Sequence, residues 1–198
     1  MSTIRNAMAA LLGALALAQA GTASAASLHS VAADAANQVT DYSQAGLVSF
    51  DLDWHQLSHT GLQFTVDAAD VHNGSLAFNA LVRNLSGLGL EQVYVSFQGA
   101  ALSPAQGSVG TDGFSEVAAH SASQQVIWAQ FAPALGTEFY LGNPLATTTA
   151  LNWTLDLSGL QAGQQFSVLV SAVPEPGTYA LVLAGLAAVG LVAARRRA

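Results

Sequence analysis

The chain has 198 residues, 52% hydrophobic and only 9% charged, with five basic against twelve acidic residues and a formal charge of −7. That balance excludes an intrinsically disordered chain, which needs weak hydrophobicity and strong net charge, and it argues against a nucleic-acid binder. The absence of cysteine excludes a disulfide scaffold, a thiol nucleophile and a thiolate metal site.

Residues 1–25 have the layout of a secretory signal peptide. Arg5 precedes the unbroken apolar run Ala7 to Ala18, and small residues then lead to Ala23-Ser24-Ala25. This A-x-A site would leave Ala26 as the mature start. The apolar run is too short to span a bilayer, so a cleaved signal is expected rather than an anchor. Ala18-Gln19-Ala20 offers a second site five residues upstream. Export across an inner membrane, with signal peptidase as the first processing partner, is the expectation.

Residues 26–173 form an acidic domain, holding eleven acids against one basic residue, Arg83, a formal charge of −10. Such a surface repels anionic polymers and phospholipid and favours solubility or cation binding. Alternation of period two marks its strands. Val48, Phe50, Leu52 and Trp54 share one face while Ser49, Asp51 and Asp53 take the other. The same pattern runs through Leu62 to Val66, Leu76 to Val82 and Val93 to Phe97, then Leu151 to Leu157 and Phe166 to Val170. Val126 to Phe131 and the short Glu138 to Leu141 complete about eight strands, joined by turn pairs such as Asn73-Gly74, Ser86-Gly87 and Ser158-Gly159. An all-β fold is predicted, an antiparallel β-sandwich of Ig-like or jelly-roll type, with no helix inside it. Ala26 to Ala45 is either a first strand or a flexible leader. Gly99 to Ser123 is expected to be a long connection of small residues, and the first place to look for binding.

Asp51, Asp53 and His55 fall on one outward strand face, and carboxylates so spaced could share a calcium ion with oxygens from Asp67 or Asp70. Outward carboxylates are more often just solvated, and the spacing of an EF-hand loop is missing. No other cofactor is expected. His55 and His59 would share a face only on a helix, and the glutamate of a zinc protease motif is absent. Gly113-Phe114-Ser115-Glu116-Val117 fails the nucleophile elbow at its last position, so no catalytic residue is expected and the chain is not read as an enzyme. Trp54 and Trp153 are in phase with the apolar face and are assigned to the core. Tyr94, Trp128 and Tyr140 are the aromatic side chains left as candidates for glycan contact.

The last segment has three parts. Val173-Pro174-Glu175-Pro176-Gly177-Thr178 blocks any helix entering from the domain. Residues 179–194 follow without a charge, long enough as a helix for about 24 Å. Arg195, Arg196 and Arg197 then act as a cytoplasmic stop by the positive-inside rule. Physics alone reads this as a transmembrane helix with a rigid spacer, a plain single-pass anchor.

This order of Pro-Glu-Pro, small apolar helix and terminal arginine cluster resembles the PEP-CTERM sorting signal, and the stretch from Leu151 to Phe166 also looks like what often precedes that signal. The resemblance implies recognition of Pro174, Glu175 and Pro176 by an exosortase, a membrane-embedded cysteine transpeptidase that cuts nearby. It further implies a Gram-negative, exopolysaccharide-producing host, transient anchoring in the inner membrane, and delivery to the cell surface or biofilm matrix. Residues 174–198 are therefore assigned to sorting, and the domain to a structural or adhesive role with exopolysaccharide as a candidate partner.

Overall fold

The computed structural model describes residues 25–112, 115–133, 138–174 and 183–187. The signal peptide up to residue 24, Glu175, Pro176 and Arg195 to Arg197 lie outside the described residues. Of the expected membrane helix only 183–187 is described, as a helical stretch with Leu183 and Leu186 exposed. Among the described residues no helix is long and apolar enough to cross a membrane.

Two sheets make up the domain. The first orders its strands β1 (Ser27–Ala32), β4 (His59–Thr65), β13 (Gln165–Pro174), β6 (Leu90–Gln98), β10 (Val126–Ala132) and β9 (Glu116–Ala122), every neighbour antiparallel. The second orders β2 (Gln38–Asp41), β3 (Leu47–Trp54), β5 (Ser75–Asn84), β11 (Glu138–Leu141) and β8 (Val109–Asp112). On the β11 side of β5, β12 (Trp153–Asp156) takes the first half of the strand and itself pairs with β7 (Ala101–Ser103). The helix α1 (Ala68–Asn73) links β4 to β5.

The second sheet is not wholly antiparallel, because β3 pairs with β5 in parallel along its full length, from Leu47 opposite Ala77 to Trp54 opposite Asn84. The strand between them in sequence, β4, crosses to the first sheet. Two reversals return the chain to its original direction, so β5 lies beside β3 running the same way.

Alternation fills one core between the sheets. Val48, Phe50, Leu52 and Trp54 from the second sheet and Leu62, Phe64, Phe166 and Val168 from the first are fully or almost fully buried. Phe64 lies directly opposite Phe166, their rings 5.5 Å apart, and Phe50 meets Phe64 at 6.3 Å. Phe78 meets Phe97 edge-on at 5.2 Å, and Phe131 meets Phe139 at 5.3 Å. Each such ring contributes roughly 1.5–3 kcal/mol through burial alone, so these pairs hold the two layers together.

The eight expected strands all form, and five more join them. Ala26 to Ala45 contains β1 and β2, and the expected long connection after Gly99 is largely strand, supplying β7, β8 and β9. At the other extreme Leu151, expected inside a strand, lies outside β12 and is exposed. The helix α1 was not expected; Asp67 caps it by accepting from the Asp70 backbone N–H at 2.7 Å, and Gly74 ends it in the left-handed conformation at φ +72°.

Candidate functional site

The sorting junction is built straight onto the core. Strand β13 lies between β4 and β6, and its last rungs set Val173 opposite Gln92 and Pro174 opposite Leu90, with a register shift between them. Proline has no N–H to give a ladder, and the last described rung of β13 falls on the first residue of Pro-Glu-Pro. No linker separates the folded domain from the recognition residues.

The outer face of the first sheet is uncharged at its centre. His59, Ser171, Tyr94, Trp128 and Ser121 fall in one register row across five strands. His59 Nδ1 and Ser171 Oγ are 2.8 Å apart. Gln92 Oε1 accepts from both the Tyr94 hydroxyl at 3.2 Å and the Trp128 Nε1 at 3.3 Å, which holds the two aromatic side chains beside one amide. Farther along the same strands, Gly61, Gln63, Ser96, Gln98, Ser167 and Leu169 help line a shallow trench of about 340 Å³. Amides, hydroxyls and flat rings on an uncharged surface are the chemistry that meets a neutral, hydroxyl-rich polymer. Of the three aromatic candidates, Tyr94 and Trp128 are thus brought together.

Tyr140 lies apart, on the outer face of the second sheet. It helps line a cleft of about 290 Å³ with Ser108, Gly110, Asn143, Pro144 and Leu145. Its hydroxyl donates to Glu138 Oε1 at 2.5 Å, and burial, followed by this bond to a carboxylate, pushes its pKa far above the ordinary tyrosine range.

On that same face Asp53, Arg83, Glu138 and Asp112 form one register row across β3, β5, β11 and β8. Arg83 grips Asp53 with two hydrogen bonds, Nε to Oδ1 at 2.5 Å and a terminal nitrogen to Oδ2 at 3.1 Å, and reaches Asp51 at 3.7 Å. Asp51 is nevertheless held above the ordinary carboxyl range, mainly by burial, with Arg83 opposing and Asp53 and Glu138 adding. The cation facing the expected calcium pair is therefore Arg83. Asp67 and Asp70 belong to a different place, the start of α1, and do not converge on Asp51 and Asp53. Among the described residues no group of three or more His, Asp or Glu is arranged to hold a metal ion.

The remaining sequence candidates separate. His55 lies exposed just beyond β3, whereas His59 begins β4 in the other sheet. Ser115 is buried and donates to the Pro133 carbonyl at 2.8 Å, a structural bond. Trp54 and Trp153 are in the core as expected, their indole N–H groups donating to Thr60 Oγ1 and the Ser108 carbonyl. The sequence did not single out Gln92, although its spacing two residues before Tyr94 on an alternating strand puts both on one face.

Residues 172–197 match the family model of the PEP-CTERM protein-sorting motif. The match begins at Ala172, inside β13, and covers the three-part segment already noted. No curated protein and no solved structure matches the chain.

Proposed function

We propose that this chain, which carries a PEP-CTERM motif and is thereby marked for exosortase-dependent export to the cell surface, serves there as a structural or adhesive element that holds neutral glycan strands of the surrounding matrix. The observation that carries this is the pairing of Tyr94 with Trp128 around Gln92, on a face whose central row bears no formal charge. Planar rings give large contact area at little conformational cost, and amide groups beside them satisfy sugar hydroxyls. The acidic face of the second sheet points away and disfavours anionic polymers.

Processing needs little from the domain beyond an accessible junction. The attacking thiol belongs to the exosortase, which would act near Pro174 to Pro176; this chain has no cysteine. Every described rung of β13 lies at or before Pro174, so a cut beyond it keeps the described sheet whole.

Intact-mass analysis of protein from its native host, with and without the exosortase, tests the sorting half. Loss of both ends in wild type and retention of Arg195 to Arg197 in the mutant is expected. A mass that keeps those arginines in both strains would make the chain a simple membrane-anchored protein. Retention on neutral matrix polysaccharide, lost in a Trp128→Ala chain, tests the adhesive half.

A further inference from the structure

Among the described residues no cation meets the two acids at the start of α1. Asp70 is 1% exposed, and its Oδ1 accepts from the Gly46 backbone N–H at 3.2 Å while its Oδ2 has no hydrogen-bond partner. Asp67 uses Oδ1 to cap the helix, and its Oδ2 is likewise buried and unpartnered. Leaving two carboxylate oxygens dry and unmatched is costly unless a proton neutralises one of them, toward which burial already pushes Asp70, or a positive charge joins them. Arg83 cannot be that charge, since it is bound to Asp53 at the far end of β5, roughly 26 Å along the strand from Ser75. Residues 26–173 contain no other lysine or arginine.

One backbone nitrogen does arrive. The register of β1 sets Ser27 opposite Thr65, which carries Ala26 alongside Val66 and up to Asp67. Ala26 is fully buried in the core, and its backbone N–H acts on the Asp70 carboxyl, lowering its pKa against the larger upward effect of burial. Ala26 is also the residue that the A-x-A site would make the first of the mature chain.

We propose that the α-ammonium group released at Ala26 by signal-peptide cleavage is the counter-ion of the buried Asp67 and Asp70 carboxylates. This rests on the export reading and on a cut between Ala25 and Ala26. Hydrolysis there adds one water across the peptide bond: the carboxylate leaves on Ala25 with the signal peptide, and the new amine on Ala26 takes a proton. A neutral peptide N–H beside two acids thus becomes a cation beside them. The precursor leaves the acids uncompensated, and the mature chain gains its ion pair only after export.

The protein has no lysine, so the mature chain has a single primary amine, its own N-terminus. Mature protein purified from the host would be treated with an N-hydroxysuccinimide ester at about pH 8, where an exposed α-amine reacts readily. Intact mass counts the labels. An N-terminus at Ala26 that labels at least about tenfold more slowly in the folded protein than in urea is expected, because reaction must wait for local opening. Asp70→Asn should bring the folded rate toward the unfolded one; should that variant fail to fold, the two wild-type rates still decide. An Ala26 terminus labelled equally fast in both states overturns the proposal. So does a terminus at Gly21, from the upstream site, although export then stands. A chain still carrying residues 1–25 defeats both.

Discussion

Arg83 is the sole basic side chain of residues 26–173 apart from histidine, and replacing it with glutamine isolates the electrostatics of one sheet face. The substitution removes two hydrogen bonds to Asp53 and the nearby charge on Asp51, leaving Asp51, Asp53, Glu138 and Asp112 on neighbouring strands. Exposed ion pairs contribute about 0.2–1 kcal/mol, and breaking a fully buried pair costs about 3–5 kcal/mol. Arg83 is 38% exposed and both aspartates 22%, so solvent screening sets the expected loss between these limits, about 1.5–2.5 kcal/mol at pH 7. For a domain of this size that is a fall in Tm of roughly 4–8 °C. The sign with pH follows from linkage. Removing the cation takes away the one influence that lowers the Asp51 pKa and so raises it further, and the variant loses stability as pH rises through that value. Its deficit should therefore be small near pH 3 and fully developed by pH 7. Thermal melts across that range, at low and high salt, make the measurement. An equal deficit at pH 3 and pH 7 would refute the electrostatic account and assign the loss to packing of the arginine stem. Calcium supplies a second arm: with Arg83 gone the carboxylates are free to take a divalent ion. A calcium concentration ten times its dissociation constant would then restore about 1.4 kcal/mol in the variant and leave the wild type unmoved.

Three further outcomes are expected. Gly142→Ala should cost at least about 3 kcal/mol in denaturant unfolding. Its Cβ would stand 2.7 Å from the Phe78 carbonyl at φ +71°, where β11 gives way to β12 along β5, and a loss below about 1 kcal/mol would contradict this close approach. Trp128→Ala, and separately Tyr94→Ala, should weaken retention on neutral matrix polysaccharide by roughly tenfold while shifting stability by no more than about 1 kcal/mol; unchanged retention in both removes the glycan face. Asp51→Asn should be neutral or stabilising at pH 7 and without effect near pH 3, because a carboxyl held above its ordinary range opposes folding once ionised; destabilisation at pH 7 would show that its contact with Arg83 dominates.

The strands that were legible in the sequence are those with one face in the core. Val48 to Trp54 alternates without a break because the structure buries every second residue there. The five strands that the alternation did not mark out bury little, although a first strand within Ala26 to Ala45 is one of the two readings there. In β1 only Leu28 is even half-buried, and β8 has no buried residue, so both are held by backbone pairing that leaves no hydrophobic pattern. Trp128 was obscured for the opposite reason. Val126 and Trp128 are apolar yet face outward, while Ala129 faces the core with the smallest side chain, so the run reads as continuous rather than alternating. The calcium pair at Asp51 and Asp53 was placed correctly on one face, but its partner came from β5, and a parallel neighbour delivered by a crossing strand is invisible to local spacing. Asp67 and Asp70, read in the sequence only as spare oxygens for a shared ion, lie at the start of α1, where Asp67 caps the helix and Asp70 is buried.

The two ends of the folded region then have a common logic. The thirteen described strands begin at Ser27, immediately inside the expected signal cleavage site, and run to Pro174, two residues into the sorting-motif match. At the start, the residue that cleavage would free, Ala26, is itself fully buried, so the first cut acts on a position already engaged with the core. At the end, the last described rung of β13 falls on a proline that has no N–H to donate, at the first residue of Pro-Glu-Pro. The asymmetry predicts different consequences for the two processing events. Removing the C-terminal segment beyond Pro174 should leave stability within about 0.5 kcal/mol, since it keeps every described rung of β13. Removing the signal peptide should raise it, since it supplies the charge that Asp67 and Asp70 lack. Melting temperatures of the mature protein, the exosortase-mutant form and the uncleaved precursor order these three directly. A precursor as stable as the mature chain would leave the N-terminal pairing without an energetic role.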